Sequence, residues 1–198
     1  MRQDRENQFW TERLERAMKI DPQSAEAMVG LALARYTASV LGWSTAAEDT
    51  YAAELDLETK ATAINPGYAF AHYVKSLVVF HTQLPEAIEA GRMAVSLDPN
   101  AAYGYFALGH AEGALGRCQQ SNEHIKRAFV LSPRDPGGGL WHMDLGVSDI
   151  CAGRVDAGIA EFRRAIDEGY RTFVVYAFLA GAALPDSRRI SIWPRRNT

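Results

Sequence analysis

Five histidines, two cysteines and one run of glycines are the residues of this 198-residue chain whose chemistry would matter most if their spacing suited it. The histidines are His72, His81, His110, His124 and His142. No two stand four apart with a carboxylate between them, so the zinc-protease pattern is missing. Cys118 and Cys151 lack the paired spacing of metal ligands, and no metal site is expected. Cys118 lies near a helix start, where a thiol can become more acidic. No nucleophile elbow, Cys–His signature or paired-carboxylate motif accompanies it, so it reads as an inert thiol. "PGGGLW", 136–141, suggests a phosphate loop but lacks the Gly-Lys-Ser/Thr ending and a preceding strand. It reads as a flexible lead into a helix. No catalytic residue, cofactor or enzymatic activity is expected.

Composition narrows the partners. Hydrophobic residues make up 47% and charged residues 23%, as in ordinary globular proteins. A formal net charge of −3 gives no global electrostatic pull toward nucleic acid or an anionic membrane. No apolar run reaches the ~18 residues of a membrane span. The polar start, "MRQDRENQFW", does not look like a secretory signal. Two cysteines in a chain of this length suggest a reducing compartment without a disulfide framework. A cytoplasmic location is the expectation.

The elements that position these residues are helices. Strand signals are poor, and even "FVVYAF", 173–178, runs on into "LAGAAL" and reads as a helix. Four phrases repeat: "AMKIDP" at 17–22, "ATAINP" at 61–66, "AVSLDP" at 94–99 and "AFVLSP" at 128–133. Each closes a helix, because proline disfavours helical backbone in the residue before it. Glycine pairs recur as well: Gly109 with Gly116, then Gly146 with Gly153. A base period near 34 fits, with a few residues added at 136–139 and about ten before Pro66.

In that register the chain resembles the tetratricopeptide repeat (TPR), a pair of antiparallel helices stacked into a right-handed solenoid. The best copy, 102–135, has Tyr105, Leu108, Gly109, Ser121, Ala128 and Pro133 at the motif positions. The next has Leu145, Gly146, Gly153, Gly158, Phe162 and Ala165 but no closing proline. The copy at 69–101 keeps Ala87, Ala94 and Pro99 and departs at Lys75-Ser76. The first, 25–68, has Leu31-Ala32 and an insert at 37–51. Residues 5–20 look like the second helix of an earlier repeat. The expected fold class is therefore all-α, an α-solenoid of about four repeats over 1–184, followed by an irregular basic tail at 185–198. More finely, "LSPRDPGGGLWHMDLGVSDICAGRVDAGIAEFRRAI" and "GWS" look like repeat regions of bacterial multidomain regulators, downstream of adenylate-cyclase or winged-helix domains.

What the resemblance implies about function is a partner groove. Family members that bind peptides use the concave face, lined by the first helix of each repeat. Carried over, that face holds Phe70, Tyr73, Leu77, Phe80, His81, Tyr103, Phe106, His110 and Met143. It lacks the Lys/Asn cluster that clamps a C-terminal carboxylate in some relatives. His72 and His142 fall near the aromatic motif position and read as packing residues. The implied role is a scaffold that binds a protein or peptide. Two alternatives stay open: burial of some of these aromatics against the insert, and self-association, as a homodimer, through uncapped solenoid ends. A sensor region of a signalling regulator is a third.

Overall fold

The structure is a computed structural model that describes residues 2–43 and 47–182. The basic tail expected at 185–198 and positions 44–46 of the insert lie outside the described residues. Ten α-helices and no strand are found among the described residues. They are α1 (Arg2–Ile20), α2 (Ala25–Val40), α3 (Ala47–Ile64), α4 (Ala69–Val79), α5 (Leu84–Leu97), α6 (Ala102–Ala114), α7 (Cys118–Leu131), α8 (Gly138–Cys151), α9 (Val155–Asp167) and α10 (Phe173–Ala182). The β-like run at 173–178 is helical, as expected, because alanines and glycine extend it past strand length.

Two compact units divide the chain, Met1–Ala107 and Leu108–Thr198. In the first, α2 packs on α1, α3 and α4, and α4 packs on α3 and α5. In the second, α8 packs on α7, α9 and α10, and α9 packs on α10.

Three of the four repeat phrases open on a fully buried alanine, Ala17 being half-buried, and Ala165 stands at the matching place of the last copy. Ala61, Ala94, Ala128 and Ala165 are each 0% exposed, and small side chains there let neighbouring helices approach. Gly109 and Gly146 serve the same end on the facing helices. A Cβ at Gly109 would stand 2.7 Å from Ile125 Cγ1 and 3.0 Å from the Ser121 carbonyl. One at Gly146 would stand 2.6 Å from Phe162 Cε1. Gly116 and Gly153 end their helices at φ +72° and +82°, a conformation in which L side chains are strained.

Counting back from those alanines exposes an irregularity. Seven residues before each stand Glu54, Ala87, Ser121 and Gly158, all buried. Three residues before stand Glu58, Gly91, Ile125 and Phe162, all buried as well. The second helix of the first pair thus places two glutamates where the later helices carry small or apolar side chains. Both are 0% exposed, and their four carboxylate oxygens have no hydrogen-bond partner in the structure.

Candidate binding surface

Helix α4 starts at Ala69 without a side-chain cap, directly after Tyr68. Its first turns carry Phe70 and Tyr73 three residues apart, on one face of the helix. The first turn of α6 supplies Tyr103. The three rings form a nearly equilateral triangle. Centroids lie 5.2 Å apart for Phe70–Tyr73, 5.1 Å for Phe70–Tyr103 and 5.3 Å for Tyr73–Tyr103. Edge-to-face and tilted contacts at this range are favourable for aromatic quadrupoles. Tyr68 extends the cluster, 6.2 Å from Phe70. All four rings are half-buried, so each keeps some surface in solvent.

A second group sits at the other end of α4. Phe80 packs edge-on against His81 at 4.9 Å, and Tyr51 of α3 meets His81 at 6.2 Å. One residue of the 37–51 insert therefore touches this group, in line with the partial covering that the sequence left open.

The other expected groove residues lie elsewhere. Phe106, Leu77 and Met143 are 1%, 6% and 7% exposed, so their side chains pack inward. For Phe106 the reason is local. Helix α6 is apolar on nearly all sides, with Ala107, Leu108 and Ala111 buried beside Phe106, so helical period alone does not separate an outer face. His110 is half-buried, its Nδ1 2.7 Å from Asp144 Oδ2. Phe70, Tyr73, Phe80, His81 and Tyr103 remain at least partly exposed, and all five belong to the first unit.

Charge around the tyrosines is negative. Burial, then the carboxylates of Glu26 and Glu58, push the Tyr68 phenol above its ordinary pKa. Burial, then Asp98, do the same to Tyr103. The two buried glutamates are also displaced. Desolvation raises Glu54 to about 7 against the opposing pull of Arg35, and Glu58 to about 8 against that of Lys75. Neither cation is within bonding range of them. Arg35 is 3.0 Å from Glu15, and Lys75 is 2.7 Å from Glu86. The Lys75 stem runs past buried neighbours while its ammonium reaches this ion pair.

In the second unit the polar residues bind one another. Asn122 Nδ2 and Arg154 Nε both donate to Asp149 Oδ1, at 2.7 and 2.8 Å. Ser148 donates to the Asp144 carbonyl at 3.0 Å, so the 2.6 Å contact between Ser121 and Ser148 has Ser121 as donor. His124 meets Glu112 at 2.7 Å. His142 meets Glu161 at 2.6 Å and packs against Phe129 in a tilted contact with centroids 4.4 Å apart. In the first unit, His72 lies 3.0 Å from the Pro66 carbonyl oxygen. These contacts tie helices together, and no group of three metal-capable side chains converges among the described residues.

One expectation is corrected outright. Cys118 and Cys151 form a disulfide across 33 residues, with Cα atoms 5.8 Å apart. That separation lies within the usual range for a bridge. One repeat length brings the start of α7 beside the end of α8, a proximity that counting cysteines could not reveal. Sequence reasoning also missed Glu54, Glu58 and Tyr68. The proline register contained the signal for the two glutamates, since both fall on positions otherwise small or apolar.

No family model and no curated protein matches the sequence. Solved structures do match. TTC0263, a thermophilic TPR protein from Thermus thermophilus, superimposes with a TM-score of 0.67 at 20% identity, over 88% of this chain and 89% of that one. The fold is that of the tetratricopeptide repeat. MamA matches with a TM-score of 0.56 at 18% identity, over 81% of this chain and 86% of its own. YrrB, described as a TPR protein with an unusual peptide-binding site, matches with a TM-score of 0.54 at 17% identity, over 87% and 83%. At such identities the TPR likeness concerns architecture. The finer resemblance to bacterial multidomain regulators has no support among these structures. No helix among the described residues is long and apolar enough to cross a membrane.

Proposed function

We propose that this chain is a non-enzymatic protein-interaction module that holds a partner peptide on the aromatic surface of its first unit. The observation that carries this reading is the Phe70–Tyr73–Tyr103 triangle, three large rings clustered yet partly exposed. Clustered aromatics at a surface are enriched among the anchors of protein interfaces. The TPR architecture supports the reading, and so does the peptide-binding site named for YrrB. Phe80 and His81 would extend the surface, with Tyr51 at its border. The test is selection of a random displayed-peptide library on the full chain, followed by affinity measurement on Phe70→Ala and Tyr103→Ala. Loss of affinity supports the surface. Selected peptides that bind both variants as well as the parent would sink it.

Self-association is the second reading. It draws on α10, where Phe173 is 84% exposed and Tyr176 47% exposed. Light scattering across a dilution series, repeated with Phe173→Ser and Tyr176→Ser, tests it. A monomer at every concentration would exclude it.

A further inference from the structure

We infer that the partner segment presents an arginine side chain to the Phe70–Tyr73–Tyr103 triangle, an inference that rests on the proposed function and names the chemistry of its ligand. Geometry comes first. Phe70 and Tyr103 meet at 90°, and Tyr73 is inclined by about 45° to each, so a guanidinium would stack over the face of one ring of the cluster, within the ~6 Å reach of a cation–π contact. A planar guanidinium also stacks on aromatic faces, which an ammonium cannot do.

The surrounding charge has the sign that this ligand needs. Residues 1–107 contain 14 Asp and Glu against 9 Lys and Arg, a formal net −5, or −3 with the buried Glu54 and Glu58 protonated. Residues 108–198 contain 10 against 12, a net +2. The acidic excess is thus confined to the unit that carries the rings. Asp98 acts on Tyr103, and Glu26 acts on Tyr68. Helix α6 contains no Lys or Arg, and α4 contains one, Lys75, engaged by Glu86 at 2.7 Å. No unpaired Lys or Arg on these two helices therefore competes for the site. An acidic peptide would meet repulsion here, and a purely apolar one would leave the carboxylate field unused.

The experiment continues the library selection on the full chain. Arginine should be enriched among the selected peptides. The best binder is then compared with its arginine→citrulline analogue, which keeps the shape and removes the charge. The analogue should bind at least tenfold more weakly, and so should the parent peptide on Tyr103→Leu. Asp98→Asn leaves all three rings in place and should weaken binding several-fold, so the claim survives any misfolding of a ring variant. Helical content and thermal midpoint by circular dichroism check each variant. Equal affinity for the citrulline analogue overturns the inference, as does selection of acidic or arginine-free peptides. If such arginine-free peptides still lose affinity on Phe70→Ala, the surface stands and only the arginine fails. A library that yields no binder, or binders indifferent to every variant, overturns both.

Discussion

Two glutamates set the pH behaviour of the first unit. Glu54 and Glu58 are fully buried without partners, and burial raises them to about 7 and about 8. A buried carboxyl avoids the large cost of an unpaired charge by staying protonated. Their folded pKa values exceed the ordinary value of 4.5. Between those limits the folded state binds more protons than the unfolded chain, so stability falls as pH rises. Thermal midpoints should therefore decline from about pH 5 to about pH 8 and level off above. Glu54→Gln with Glu58→Gln should remove most of that slope, and a slope unchanged in the double variant would refute the assignment. Arg35 and Lys75 oppose the shift, less than desolvation drives it, while paired with Glu15 and Glu86. A second residue-scale expectation concerns Gly109. Its added Cβ would fall 2.7 Å from Ile125 and 3.0 Å from backbone, so Gly109→Ala should cost about 1–3 kcal/mol in denaturant unfolding. No measurable loss would mean that the two helices are free to separate.

At the scale of elements, legibility was uneven for physical reasons. Helix ends were readable because proline and left-handed glycine act locally, as at Pro99, Pro133, Gly116 and Gly153. The Phe70, Tyr73 and Tyr103 cluster was also in reach, since repeat register brings the first helices of successive copies together. Phe106 was not, because an almost wholly apolar α6 offers no polar face to mark its outer side. Nor was the Cys118–Cys151 bridge, whose sulfurs meet only once α7 and α8 have packed. Closing a loop of 33 residues should contribute ~3–4 kcal/mol by restricting the unfolded chain. Cys118→Ser, or dithiothreitol added to the parent, should lower the stability of the second unit by comparable amounts. The variant should no longer respond to dithiothreitol. A parent equally stable with and without reductant would show that the bridge contributes nothing.

The whole molecule divides its labour by composition. An acidic first unit offers clustered, partly exposed rings, while the second pairs His110, Asn122 and His142 with Asp144, Asp149 and Glu161. TPR proteins share architecture across unrelated roles, so the fold supplies a frame and the surface must supply the function. The surface proposed for that role is the Phe70–Tyr73–Tyr103 triangle. The most direct test is calorimetric titration of a library-selected peptide into the full chain, its Phe70→Ala, Tyr103→Ala double variant and a Phe173→Ser control. Binding should weaken at least tenfold in the double variant and stay unchanged in the control. Equal affinity for parent and double variant would contradict the account.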